Sequence, residues 1–191
     1  TRVLAGPFCT MMLADMGANV IKIEVPKGGD DTRSYPPFRA ENLNGERESV
    51  YFANINRNKK GITLNLKAPE GKEIFKGLVK KADIVVENYR PGVMDKLGLG
   101  YDVLKEINPR IIYAAVSGFG CYGPYHLRPG YDILAQAMGG MMSITGSKGG
   151  EPTRAGSALG DILGGLHVTI GILAAVNART ITGKGQRVDV S

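Results

Sequence analysis

The sequence predicts an α/β fold: a Rossmann-like, mostly parallel sheet flanked by helices, in one domain over residues 1–191. Three observations predict it. Short apolar runs rich in β-branched residues recur along the chain, at Val20 to Ile23, Ile84-Val85-Val86 and Ile111 to Ser117, with the unalternating pattern of strands covered on both faces. Runs with helical spacing lie between them, Ile74, Phe75, Leu78 and Val79 being one apolar face. The strand runs also end in polar loops, which is where open α/β sheets bind ligands.

The chain has 191 residues, 43% of them apolar and 22% charged, with a formal charge of +6. That is enough for one large globular domain. The modest positive charge suits a polyphosphate ligand as well as nucleic acid. No basic run is interleaved with aromatics and Trp is absent, so no nucleic-acid surface is expected. The most apolar stretch, Ala158 to Val176, contains Asp161 and His167, and is read as a buried core helix rather than a membrane span. No signal-peptide pattern opens the chain. Cys9 and Cys121 form no CxxC and read as free thiols in a reducing compartment, so the expected location is cytoplasmic. Without a Cys/His cluster there is no case for a metal. The first residue is not Met, Val3-Leu4 reads as the end of a strand, and Gln186 to Val190 reads as another. The expectation is a chain truncated at both ends.

Val3-Leu4, the run from Gly6-Pro7 through Met16, and Asn19 to Val25 read as strand, helix, strand, with Gly17 ending the helix. This unit ends on Glu24, where a dinucleotide fold holds its ribose, yet the first turn lacks the glycine fingerprint of such folds. Lys27 to Glu48 is a long polar loop containing Gly29-Asp30-Asp31-Thr32-Arg33. Val50 to Ile55 reads as a short strand, followed by the cations Arg57, Lys59 and Lys60 and a strand from Ile62 to Leu66. Pro69 starts a helix where no N–H is needed, with Lys72, Lys76 and Lys80 on its solvated face. Glu87 to Gly92 is a polar loop after a strand, and Tyr101 to Ile107 is a short helix stopped before Pro109. Gly118-Phe119-Gly120-Cys121-Tyr122-Gly123 is a literal GxGxxG. Pro124 and Pro129 follow it and no helix opens there, so it is read as a wall of the site and not as a dinucleotide loop. Tyr131 to Met142 reads as a helix with Ile133, Leu134, Met138 and Met141 in the core.

The stretch Gly160 to His167 opens the most apolar segment, helical to about Asn177. Asp161 falls at the expected helix N-terminus, among Gly156, Gly160, Gly164 and Gly165. Spacing alone favours an ordinary N-cap. The sharper reading is a carboxylate nucleophile in a glycine-walled pocket that leaves room for a substrate carbonyl. His167 lies about 240° further round the helix, so it cannot serve Asp161 as a base and reads as a packed residue.

The blocks AGPFCTMMLADMGANVIKIE, GDDTR, NRNKKGITLNLK, VENYRPGVMDKLGLGY, INPRIIYAAVSGFG, GPYHLRPGYDILAQAMGG and TGKGQRVDVS, in this order, resemble the family III CoA-transferases (CaiB/BaiF), which include formyl-CoA transferase and the fatty acyl-CoA racemases. Family chains are longer, so the resemblance is to their N-terminal half. It implies an enzyme that moves CoA from an acyl-CoA thioester to a carboxylic acid through a covalent aspartyl intermediate at Asp161. Coenzyme A would be a substrate, without a metal. The resemblance implies CoA contacts at Arg33, Leu64, Lys67, Asn88, Tyr89 and Arg90, with Lys96 joining the phosphate cluster. A guanidinium fork suits phosphate oxygens, and Arg57, Lys59 and Lys60 would add to the attraction. Tyr51 and Tyr131 match positions that hold the acid substrate, and the full-length protein is expected to be an interlocked homodimer. One relative has glutamine where this chain has Leu4, so a formyl or oxalate preference is not implied.

Within the superfamily the alternative is an α-methylacyl-CoA racemase, which needs two acid/base groups facing one carbon. Racemases carry His in a GHDxN-type motif where this chain reads GYDIL, and the Tyr131 phenol, with an ordinary pKa of about 10, is a poor base at neutral pH. Outside it, the alternatives are a nucleotide-binding domain, which Glu24 favours, and a non-catalytic interaction half.

Overall fold

Parallel pairing dominates the computed structural model, which describes residues 1–41 and 45–191. Strand β1 (Val20–Glu24) pairs with β2 (Lys59–Thr63), Val20 opposite Lys59 and Glu24 opposite Thr63. A second sheet has the order β3 (Ile84–Glu87), β4 (Ile112–Val116), β5 (Arg187–Val190), again parallel throughout. Parallel neighbours need crossovers. Helix α3 (Pro69–Val79) lies between β2 and β3, and α4 (Val93–Lys96) and α5 (Tyr101–Ile107) lie between β3 and β4. Helices α1 (Ala5–Asp15), α2 (Val50–Ile55), α6 (Asp132–Met138) and α7 (Leu159–Thr182) complete the chain, and a short 3-10 helix spans Asp31–Ser34. The α/β class with parallel sheets and flanking helices is as the sequence predicts.

Strand β4 is the centre of the larger sheet and is buried at every position. Its side chains alternate between two cores. Tyr113 and Ala115 pack with Phe75, Val79, Leu99 and Leu104 on one side; Ala114 and Val116 pack with Cys9, Leu13, Val168 and Ile172 on the other.

Helix α7 runs antiparallel to this sheet. Arg179, near its C-terminus, donates to the carbonyls of Asp83 and Arg110, just before β3 and β4. At the other end Gly164 faces Val116, the last residue of β4. A Cβ on Gly165 would stand 2.6 Å from the Ala5 carbonyl oxygen, and one on Gly171 2.6 Å from Val188 Cγ1. Glycine at these positions therefore sets how closely α7 lies on α1 and β5. The start of α7, with Asp161, is thereby placed beyond the carboxyl ends of β4 and β5, the ligand-binding edge of an open parallel sheet.

Several expectations are corrected. Residues 3–4 are not a strand: Val3 has φ +62°, its N–H turns to Asp30 Oδ1 at 3.3 Å, and α1 begins at Ala5. The chain therefore does not open with a strand–helix–strand unit. Val50–Ile55 is helix, not strand, because Ser49 caps it: its Oγ accepts from Phe52 N at 3.2 Å. Strand β2 starts at Lys59, not Ile62, because the Lys59 ammonium is drawn inward to Pro7 O, Ile55 O and Asn56 Oδ1 at 2.8–2.9 Å. Helix α6 ends at Met138, with Gly139 and a left-handed Gly140 following. Ile133, Leu134 and Met138 are exposed rather than core, because α6 turns Gln136 inward. Ile74 is likewise exposed, while Phe75 and Val79 one turn apart form the buried face of α3.

Helix α7 extends to Thr182 and buries one face only. Val168 and Ile172 are wholly buried, but Leu163, Leu166, Ile170 and Leu173 are 39–54% exposed. By length and composition alone α7 could cross a membrane, with a third of its apolar window buried here against α1 and the sheet.

Candidate active site

Asp161 is the third residue of α7, after the N-cap Ala158. It is not the cap that spacing favoured. The first-turn N–H of Gly160 is instead satisfied from α6, by Asp132 Oδ1 at 2.7 Å. Among the described residues the Asp161 carboxylate accepts no hydrogen bond and forms no ion pair. Burial, then the Asp132 charge, hold its pKa above the usual carboxylate range.

Tyr51, on α2, lies within electrostatic reach of Asp161. Burial, then the Asp161 charge, push its hydroxyl pKa up. Its ring is edge-on to Tyr35, centroids 5.8 Å apart. Tyr131 occupies the N-cap position of α6 without a side-chain capping bond and is 71% exposed. His167 is exposed, not packed, with Nδ1 2.8 Å from the Leu163 carbonyl oxygen.

Two residues the sequence reading passed over organise the approach to Asp161. Asp132 and Gln136, one turn apart on α6, together hold residues 155–160. Gln136 Nε2 donates to Asp132 Oδ2 at 2.8 Å and to Ser157 O at 3.3 Å, and its Oε1 accepts from Ala155 N at 2.8 Å. The available signal was an Asp and a Gln at i, i+4 inside a run otherwise assigned to core.

The residues that the resemblance assigns to CoA lie mostly at the carboxyl ends of β1, β2 and β3. Arg33 and Glu24 line a groove of about 520 Å³ with Lys27, Gly28, Gly29 and Thr63. The Arg33 fork does not face that groove unengaged: Nε and Nη2 each donate to Glu24 at 2.8 Å, and the guanidinium stacks on Phe52 at 3.8 Å. Burial alone would raise the Glu24 carboxyl pKa, but the Arg33 bonds and the Asp30 N–H leave it below the usual range. Leu64 and Tyr89 are partly buried and pack on the same core cluster. The Asn88 amide is also engaged, clasping the Arg2 backbone in both directions at 2.8 Å. Arg2 pairs in turn with Asp31, which ties the Asn88 loop to the Arg33 loop. Lys67, Arg90 and Lys96 are exposed. Arg57 pairs with Asp15 at the opposite end of the first sheet and Lys59 is drawn inward, while Lys60 is exposed. The Gly118–Gly123 loop opens no helix and is anchored by Cys121 N donating to Asp189 Oδ2 at 2.9 Å.

Under this edge lies a buried ion pair. Lys22 Nζ meets Asp30 Oδ2 at 2.7 Å, with both side chains almost fully buried. Thr32 adds its N–H and hydroxyl to Asp30 Oδ1, so the loop carrying Arg33 is fixed from inside.

The chain is 50% identical to an acetyl-CoA:oxalate CoA-transferase of Acetobacter aceti, across the whole of this chain and 48% of the relative. It is 49% identical to a succinyl-CoA:glutarate CoA-transferase of Mus musculus, across 99% of this chain and 42% of the relative. A crystal structure of a CaiB/BaiF family protein from Brucella suis superposes with a TM-score of 0.95 at 46% identity, covering 100% of this chain and 50% of that one. The chain thus spans about half the length of the curated relatives it matches. The family profile covers residues 1–191, and the chain belongs to CoA-transferase family III.

Proposed function

We propose that the full-length protein moves CoA from an acyl-CoA thioester to a carboxylic acid, with Asp161 as nucleophile. The observation that carries this reading is the division of labour at the start of α7. Asp132 satisfies the Gly160 N–H, and the half-buried Asp161 carboxylate accepts no hydrogen bond from any described residue. A carboxylate in that state is more basic and less solvated than one in water, and so better placed to attack.

In the first step an Asp161 oxygen forms a bond to the thioester carbonyl carbon. The C–S bond breaks and CoA leaves as thiolate with the electron pair, giving a mixed anhydride. The thiolate attacks the Asp161 carbonyl carbon, the donor acid leaves as carboxylate, and an aspartyl-CoA thioester remains. The acceptor carboxylate attacks this thioester, expelling thiolate and forming a second anhydride. Thiolate then attacks the acceptor carbonyl carbon, giving the new acyl-CoA and restoring Asp161.

Tyr51, under the Asp161 field and still a phenol at neutral pH, is assigned to hold the acid substrate. Tyr131 is assigned to the same acid from the exposed start of α6. CoA is assigned to the loops carrying Arg33, Leu64, Lys67, Asn88, Tyr89, Arg90 and Lys96. Arg33 has to give up part of its bond to Glu24, or present its remaining N–H groups, to meet a phosphate. The two named relatives act with oxalate and glutarate at nearly equal identity, so identity does not choose the acid. A homodimer is also proposed, supported by the apolar stripe Leu163, Leu166, Ile170 and Leu173.

Full-length protein mixed with acyl-CoA and an acceptor acid should make the new thioester, and Asp161→Ala should not. Exchange of the α-proton without an acceptor would instead support the racemase.

A further inference from the structure

We propose that Gln136 is a positioning residue for the reaction at Asp161: its amide fixes the backbone that delivers the nucleophile and the orientation of the carboxylate beside it. The proposal rests on the nucleophile reading above.

Gln136 is 2% exposed, on a helix whose apolar neighbours Ile133, Leu134 and Met138 face outward. A helix that exposes leucine and isoleucine while burying a glutamine is not organised by apolar burial. The buried amide is matched on both sides. Oε1 takes the Ala155 N–H, and Nε2 serves two acceptors, Asp132 Oδ2 and Ser157 O. Reversing the amide would set N–H against N–H and oxygen against two oxygens, so its orientation is fixed. Asp132 then passes the constraint on, since its other oxygen holds Gly160 N at 2.7 Å. One amide thus governs Ala155, Ser157 and, through Asp132, Gly160, the residue directly before Asp161. A Cβ on Gly160 would stand 2.9 Å from Ala135 Cβ, so the chain at Gly160 lies against α6, and this residue has no side chain of its own to set its register.

The chemistry needs this. A carboxylate without hydrogen bonds is aimed by its backbone, and an error of about 1 Å in a reacting group costs about 10²-fold in rate.

The test is a single-turnover experiment on the full-length enzyme with acyl-CoA, quenched on the millisecond scale, with the adduct on Asp161 read by mass. The variants are Gln136→Met, which keeps volume and loses the amide, and Gln136→Glu. Both are expected to reach full adduct amplitude with rate constants about 10- to 100-fold below native, and with KM for acyl-CoA changed by no more than about twofold. For Gln136→Glu the rate relative to native should recover as pH falls from about 8 to about 5, because the introduced carboxyl regains a proton to donate to Asp132. Gln136→Met should show no such recovery. A purely structural role would lower the amplitude, through loss of folded protein, and leave the rate constant and its pH dependence alone. That result, or native rate constants in both variants, overturns the proposal. No adduct on the native enzyme removes the nucleophile reading itself, and this inference with it.

Discussion

A carboxylate that caps a helix is satisfied by that helix; Asp161 does not cap α7. Burial and the Asp132 charge raise its pKa in the folded chain. The folded state therefore binds that proton more tightly than the unfolded state does. Stability is lost as pH rises from the ordinary carboxylate range through the folded pKa, and the loss persists at neutral pH. Asp161→Asn should accordingly raise the thermal unfolding midpoint at neutral pH, with the gain fading in acid; a lower midpoint at neutral pH would contradict the free-carboxylate description. Asp30 behaves oppositely. Burial would raise its pKa, but Lys22 and Thr32 outweigh it and hold the carboxyl below the usual range. Its contribution is present above the unfolded pKa and is lost as pH falls through the folded one. With the Lys22 and Asp30 side chains only 3% and 1% exposed, Lys22→Met strands a buried charge. Urea unfolding at neutral pH should show a loss of about 3–5 kcal/mol, shrinking in acid as Asp30 is protonated.

Helices and strands were legible where one force dominated. The β-branched runs at β1, β3 and β4, the Pro69 start and the Tyr101–Ile107 helix all follow from local pattern. Several of the failures share a cause, which is a polar side chain with a distant or buried partner. Val50-Tyr51-Phe52 has strand propensity, yet Ser49 turns it into a helix, with Ser49 Oγ also donating to Tyr35 O at 2.6 Å. Ser49→Ala should cost about 0.5–2 kcal/mol from the cap and about 1 kcal/mol more from the lost buried bond, read by chemical denaturation. Lys59 read as a loop cation, but three inward oxygens make it the first residue of β2. Burial, then Lys22, lowers its pKa to about 7. Asp161 itself was legible as an unusual residue, though its freedom from capping was not, because the residue that relieves it, Asp132, comes from another helix. The same long-range pairing takes Arg33 and Asn88, both read as ligand groups, into bonds with Glu24 and Arg2.

The molecule as described buries one face of its longest helix and leaves an apolar stripe outside. In the proposed homodimer that stripe is an interface, so Ile170→Asp in the full-length protein should shift sedimentation from dimer to monomer; an unchanged dimer would place the interface elsewhere. The fold brings the start of α7, the Tyr51 helix and the loops after β1, β2 and β3 to the carboxyl side of the two sheets. In the proposed reaction Asp161 becomes covalently bound at that side. The most direct measurement is therefore the mass of the Asp161 peptide after the full-length enzyme is quenched during turnover. Acyl or CoA mass on that side chain is the predicted result. Unmodified Asp161, with full turnover retained in Asp161→Ala, would contradict it.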